Sequence, residues 1–163
     1  MSQKNIYLVL HNIRSLHNVG SIFRTADAAG VKKIYLTGYT PSPLDRFEKI
    51  RPEIAKTALG AEKTVEWQKY GNIGTLISEF KKAGIAHRSP ASIVGIEQSS
   101  QAINYKKFKP QYPLVLILGN EIRGISPAIL KKCDKIIEIP MAGKKESLNV
   151  SVSAGIVLFS LPR

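Results

Sequence analysis

The stretch Ile136–Leu161, IIEIPMAGKKESLNVSVSAGIVLFSL, is the one on which the reading of the fold turns. A short apolar run, Ile136-Ile137-Glu138-Ile139, stops at Pro140, because proline has no N–H to give a sheet ladder. A tight cationic loop follows, Met141 to Glu146, with Lys144, Lys145 and one glycine, Gly143. Ser147 then stands at a helix N-cap position, where a hydroxyl satisfies an orphan backbone N–H. Beyond it Leu148, Val152, Ile156 and Phe159 fall on one helical stripe, and Val150, Ala154, Val157 and Leu161 on another. A segment apolar nearly all round is expected to be buried on several sides. The small residues between, Ser151, Ser153 and Gly155, permit close approach of a second backbone. Positions 148 to 154 also alternate as a strand would, so periodicity alone leaves both readings; length favours the helix.

Ser147 and Asn149 are the polar residues at the mouth of that helix, beside the two lysines. Helix N-termini attract anions through free N–H groups and the macrodipole, although an ordinary cap followed by a solvent-facing asparagine has the same spacing. The run IPMAG…SLNVSVSAGI resembles the third motif of the SpoU/TrmH-type RNA ribose 2′-O-methyltransferases, a branch of the SPOUT superfamily. Two further motifs of that family precede it, in the family's order.

Composition bounds the partners. At 163 residues and 18.0 kDa the chain is expected to form a single domain, residues 1 to 163, with a real core. Its 24 Lys+Arg against 12 Asp+Glu give a formal charge of +12 and a pI near 9.9. That balance points to a polyanion, and to nucleic acid ahead of a membrane surface, since no basic amphipathic helix is evident. The sole cysteine, Cys133, excludes an internal disulfide and a cysteine-cluster metal site. His11, His17 and His87 lack the spacing and companions of a zinc site, so no metal is expected. With neither an N-terminal apolar leader nor a stretch of transmembrane length, a soluble, cytoplasmic protein is expected.

From the start, Ile6 to Leu10 is a buried strand, and a polar loop runs from His11 to His17. Asn18 is placed to cap the next helix, whose apolar face is Val19, Ile22, Phe23 and Ala26 and which ends at Gly30. Val31 to Thr37 returns as a second strand, a βαβ unit implying a parallel pair with a right-handed crossover. Arg24 lies off the apolar stripe, three residues before Asp27, which suits a surface ion pair. However, HNVGSIFRTADAAG resembles the family's first motif, whose asparagine and arginine, here Asn18 and Arg24, face the reaction centre.

Pro41 to Arg51 is a proline-punctuated loop carrying Arg46, Lys49 and Arg51, and leads into a short helix from Pro52 to Leu59, closed by Gly60. Lys63 to Trp67 suits a strand. Ile73, Leu76, Ile77 and Phe80 mark a helix within residues 71 to 83 that ends at Gly84. Ser92 to Glu97 suits a strand, and Gln98 to Tyr112 a polar connection. Within it, Tyr105-Lys106-Lys107-Phe108-Lys109 interleaves cations with aromatics, as an RNA grip or a solvated loop would. Leu114 to Leu118 is a central strand. Ser126-Pro127 supplies the cap and first-turn proline of a short helix. Between them LGNEIRGIS resembles the family's second motif, glycine-x-glutamate-x-x-glycine, with Ile122 where the family often has a third glycine.

The resemblance implies an α/β fold, a mostly parallel sheet flanked by helices, with a C-terminal trefoil knot whose loops hold S-adenosyl-L-methionine. The chain contains no GxG and no Walker A sequence, so neither a dinucleotide fingerprint nor a phosphate loop competes with that route. By the same resemblance Arg24, Asn18, Glu121, Ser147 and Asn149 match active-site positions, while Gly119, Ile139, Leu148 and Ile96 match positions lining the adenosine pocket. A guanidinium with a pKa above about 12 makes a poor base. Arg24 is therefore expected to bind the phosphate beside the target ribose and to favour the 2′-oxyanion, with Ser147 and Asn149 orienting the nucleotide. The implied partners are RNA (tRNA or rRNA) and a second copy of the chain, with the first-motif and last-motif helices crossing the boundary. A catalytically inactive knotted RNA-binding protein and an RNA base methyltransferase are the alternatives.

Overall fold

Leu8, Val9 and Leu10 are wholly buried in the first strand, β1 (Ile6–His11), which stands in the middle of a parallel sheet. The computed structural model describes residues 4–82 and 89–162; His87 and the expected helix end at Gly84 lie outside them. Helix α1 (Leu16–Ala28) crosses to β2 (Lys33–Thr37), which pairs with β1 from Tyr7 opposite Lys33 to His11 opposite Thr37. Two short helices, α2 (Pro52–Ala58) and α3 (Ala61–Thr64), lead to β3 (Glu66–Tyr70), parallel to β2. Helix α4 (Ile73–Lys81) and β4 (Ser92–Ile96) follow, then a two-residue edge strand, β5 (Ile103–Asn104), and a 3-10 turn at Tyr105–Lys107. The chain continues through β6 (Leu114–Leu118), α5 (Pro127–Leu130), β7 (Lys135–Glu138) and α6 (Val150–Ser160). Among the described residues the seven strands take the order β3-β2-β1-β6-β4-β7-β5, every pair parallel.

Period-2 alternation sorts the strand residues to two buried faces. Leu8, Leu10, Ile34 and Leu116 meet Ile22 and Phe23 of α1 and Val157 of α6 on one side. Tyr7, Val9, Tyr35 and Ile117 meet Leu76 and Phe80 of α4 and Ile129 of α5 on the other. Tyr7, Tyr35 and Phe80 pack as tilted or edge-on rings with centroids 5.4–6.5 Å apart, the arrangement ring quadrupoles favour.

Several expected boundaries move. Ser15, not Asn18, caps α1: its Oγ accepts from Asn18 N at 3.2 Å, which leaves the Asn18 side chain free to point elsewhere. Asn149, not Ser147, caps α6, accepting from Ser151 N at 2.9 Å. Helical backbone runs on through Thr64, so the third strand starts at Glu66 and not at Lys63. Ala29 caps α1 ahead of Gly30, and the polar connection after β4 contributes β5, which pairs with β7. α6 buries Val150, Ala154, Val157 and Leu158 but leaves Val152 and Phe159 about half exposed, so its burial in this chain is one-sided. No helix among the described residues is long and apolar enough to cross a membrane.

Candidate active site

Because all strands run the same way, the loops that leave their carboxyl ends gather along one edge, where open α/β sheets bind ligands. β6, β4 and β7 are neighbours in space, so three loops far apart in sequence meet there. Ile96-Glu97-Gln98 after β4, Leu118–Ile122 after β6, and Glu138 to Ser153 after β7 line one cleft. Its walls mix apolar groups (Ile96, Leu118, Ile139, Met141, Leu148, Val150) with three carboxylates, Glu97, Glu121 and Glu138.

The loop after β6 is held by its own side chains. Asn120 is buried, and its Nδ2 donates to Asn12 O at 2.9 Å and to Tyr39 Oη at 3.0 Å. Its Oδ1 accepts from the N–H groups of Ile122 and Arg123 at 3.0 and 2.8 Å. Gly119 has no room for a side chain: a Cβ there would lie 2.6 Å from the Gly124 carbonyl carbon and 2.7 Å from its oxygen. The glycine is required because the loop folds back on itself, a reason internal to the protein. Glu97 secures the other end, its Oε2 accepting from Ile125 N at 2.8 Å and its Oε1 from Gln98 N at 2.9 Å. Gln98 in turn donates to Ile139 O at 2.8 Å, tying the β4 loop to the end of β7.

Glu121 joins this loop to α1. Its carboxylate accepts from Arg14 N and Ser15 N, each at 3.0 Å, and from Asn18 Nδ2 at 3.3 Å. Burial pushes its pKa upward, but the backbone N–H groups and the Asn18 amide outweigh that and hold it below the ordinary carboxylate value. Asn18 Oδ1 accepts from Asn149 Nδ2 at 3.0 Å, and Asn149 Oδ1 accepts from Ser151 Oγ at 2.6 Å. One chain of hydrogen bonds, Glu121–Asn18–Asn149–Ser151, therefore connects all three sequence motifs at the rim of the cleft. Ser147, displaced from the capping role, is exposed and lines the cleft with Leu148.

Gly119, Ile139, Leu148 and Ile96 all line the cleft, as do Glu121 and Ser147; Asn18 and Asn149 are joined to it through Glu121. Arg24 is elsewhere. It is exposed and lines a second cavity of about 520 Å³ with Ser21, Thr25, Lys56 and Phe159, between α1, α2 and the end of α6. It is not paired with Asp27, whose Oδ1 accepts from Thr64 Oγ1 at 2.9 Å. Asn120 and Glu97 were not singled out by sequence reasoning. Asn120 lies inside the quoted second motif, but nothing in the spacing announces Glu97, whose partner Ile125 is 28 residues away. Cys133 sits against Gly95 of β4 on the face that α4 and α5 cover, and burial pushes its thiol up to about 11, with the Asp134 carboxylate adding to the effect. Among the described residues no cluster of His, Cys, Asp and Glu is arranged to hold a metal ion.

Known proteins resemble this arrangement over nearly its whole length. The chain is 36% identical over 161 residues to a tRNA (guanosine(18)-2′-O)-methyltransferase of Aquifex aeolicus, covering 99% of this chain and 70% of that protein. It is 33% identical over 159 residues to the 23S rRNA (guanosine-2′-O-)-methyltransferase RlmB of Ralstonia nicotianae, covering 97% of this chain and 58% of the relative. It thus spans about three-fifths to seven-tenths of the length of these curated relatives. The crystal structure of an AdoMet-bound rRNA methyltransferase from Sinorhizobium meliloti superposes with a TM-score of 0.82 at 27% identity, over 98% of this chain and 56% of that one. The family model described as SpoU rRNA Methylase matches residues 5–159, and with the three motifs joined at one cleft, the chain belongs to the SpoU rRNA methylase family.

Proposed function

We propose that the chain is an S-adenosyl-L-methionine-dependent methyltransferase acting on a ribose 2′-hydroxyl of tRNA or rRNA. The observation that carries this reading is the hydrogen-bonded chain Glu121–Asn18–Asn149, which sets all three family motifs around one cleft. The cleft suits the cofactor: apolar walls at Ile96, Ile139 and Leu148 match the adenosine, and three carboxylates in a chain of net charge +12 match a cationic sulfonium and amino group. When bound, the cofactor supplies an activated methyl group, the difficult part of the chemistry.

The protein's own task is to place the acceptor hydroxyl and ease loss of its proton. Glu121 serves by position: with its oxygens taken by Arg14, Ser15 and Asn18, it fixes the second-motif loop against α1 and is not the base. Asn149 and Ser147 orient the nucleotide at the helix mouth. Arg24 binds the phosphate beside the target ribose, and its charge favours the developing 2′-oxyanion. A trefoil knot at the C-terminus belongs to the same reading, since residues 138–153 wall the cleft together with the β4 and β6 loops.

The site is completed by a second copy. Arg24 is absent from the lining of its own cleft, while α6 carries exposed Val152 and Phe159, and Phe159 lines the cavity beside Arg24. A two-fold dimer covering α1 and α6 gives each cleft its neighbour's Arg24. A cytoplasmic location accompanies an RNA substrate. Mass-spectrometric nucleoside analysis of RNA from cells with and without the gene tests the activity: one 2′-O-methylnucleoside should disappear. Loss of a base-methylated nucleoside instead would overturn the ribose assignment.

A further inference from the structure

The loop between β2 and α2 is unusually well built for a surface loop. Its root is clamped: Thr40, wholly buried, donates through Oγ1 to Leu10 O at 2.8 Å and accepts from Ile13 N at 3.1 Å. Lys69 donates to the Thr40 carbonyl from β3. Its tip is braced by Asp45, whose Oδ1 accepts from Phe47 N at 2.8 Å and Lys49 N at 3.0 Å while its N–H donates to Lys49 O at 2.8 Å. An antiparallel bridge joins Leu44 to Ile50, and Arg51 N donates to Pro43 O at 2.9 Å, so the loop is a small closed finger. Glu48 takes a left-handed conformation, φ +59°, to complete the turn.

What this finger holds out is aromatic and apolar, with charges of both signs: Arg46, Glu48 and Lys49 are all exposed. Phe47 is 66% exposed, with Tyr39 (56%) and Ile50 (49%) on the same segment. The Arg46 guanidinium stacks on the Phe47 ring, 4.7 Å from its centroid, and Lys49 stands two residues on. A packed loop would hide its phenylalanine; this one spends a braced turn to present it. The finger also communicates with the cleft, because Tyr39 at its base accepts a hydrogen bond from Asn120 of the second-motif loop, and both leave the same edge of the sheet.

Resting on the function proposed above, we infer that the finger, residues 41–50, is an RNA-stacking element: an unpaired base of the substrate stacks on Phe47, extending the Arg46–Phe47 stack, while Lys49 meets the phosphate backbone. Every base has a π-face, so such a platform fixes the position of a strand with little sequence preference. RNA is the occupant because the base of the finger is tied through Tyr39 to the loop that walls the cleft where the substrate must lie, and a chain of net charge +12 attracts a polyanion. Tyr39 then couples the positioned strand to the loop that walls the cleft.

The test is fluorescence anisotropy with a labelled single-stranded RNA dodecamer of mixed sequence, over a series of salt concentrations. Phe47→Ala should weaken binding about tenfold, the order of one lost base stack, without changing the salt slope. Phe47→Trp should retain affinity, and Lys49→Ala should lower the slope by about 0.7. S-adenosylmethionine affinity by calorimetry and mass by sedimentation should be the same for all. Wild-type affinity in Phe47→Ala overturns the inference and leaves the methyltransferase reading intact. So does a loss of RNA affinity that accompanies a change in sedimented mass, which would mark the finger as a contact between copies. A wild-type protein that neither binds nor methylates RNA removes both.

Discussion

The two sides of β1 are built differently. β1, β2 and β3 stand in chain order, each beside its predecessor, whereas β6, β4, β7 and β5 interleave, so that neighbours in space are distant in sequence. The ordered side is closed by local contacts such as α1 on α2, where Gly20 has space for no more than hydrogen against Thr57 Oγ1 and the Ile54 carbonyl. The interleaved side is closed by side chains that reach across loops: Glu97 to Ile125, Gln98 to Ile139, Asn120 to Asn12. The cleft lies on the interleaved side, and Arg24 and the Phe47 finger belong to the ordered one. Interleaving is what brings three loops to one place; the ordered side holds charged and aromatic groups exposed on a firm surface.

That division implies separable functions, and substitution on each side tests it. The largest effect is expected from Arg24→Ala, which should lower methyl transfer by about 10²–10³-fold, the order seen when one charge-stabilising group is removed, with cofactor affinity unchanged by calorimetry. If cofactor affinity falls too, the two sides are not separable. Mixing this variant with a cofactor-site variant, after dissociation and reassociation, should restore activity if Arg24 serves the neighbouring subunit; self-contained subunits would restore none.

Gly119→Val should do the reverse. The new side chain collides with the Gly124 backbone, and displacing the loop costs about 1–3 kcal/mol, so cofactor affinity should fall by roughly tenfold to a hundredfold. A Gly119→Val protein that binds cofactor normally would show that this loop tolerates displacement and does not define the cleft.

A smaller effect concerns the bond between the two sides. Glu121→Gln should destabilise the fold by about 1–2 kcal/mol at neutral pH, since Arg14 and Ser15 lose a charged acceptor that is only partly buried. Its lowered folded-state pKa means that this contribution is complete above the ordinary glutamate pKa and disappears as pH falls through the folded value. Urea unfolding should therefore separate wild type from variant at pH 7 and bring them together in acid; a constant gap would remove the carboxylate's charge from the explanation. The smallest effect is Cys133→Ala, expected to keep turnover, because a thiol held up to about 11 is protonated at neutral pH. Loss of turnover in a folded Cys133→Ala protein would reopen the mechanism.

Much of the fold was legible. Leu114–Leu118 is a run of five apolar residues and becomes the strand beside β1; Ile73, Leu76, Ile77 and Phe80 mark a helix face that is buried as spaced. The caps were harder. Ser15 and Asn18, or Ser147 and Asn149, are equally good capping residues a few positions apart; Asn149 caps α6 through Oδ1 while its Nδ2 reaches Asn18, and in the first pair the choice follows the distant partner. Asn18 is engaged by Glu121, 103 residues away, so Ser15 caps instead. The site was legible as three short motifs, but the side chains that hold it were not. Asn120 meets Tyr39 81 residues off, and no local pattern encodes a contact at that range.

By itself, then, the sequence determined the parallel βαβ start of the chain, its basic character and, through family resemblance, the residues of each motif, because alternation, helical spacing and charge act over a few residues. Tertiary structure decided the strand order, the all-parallel pairing, the internal reason for Gly119, the joining of Glu121, Asn18 and Asn149, and the separation of Arg24 from the cleft of its own chain. Each of those depends on which distant segments lie side by side, and that is settled by packing two faces of one sheet at once, which no stretch of sequence does alone.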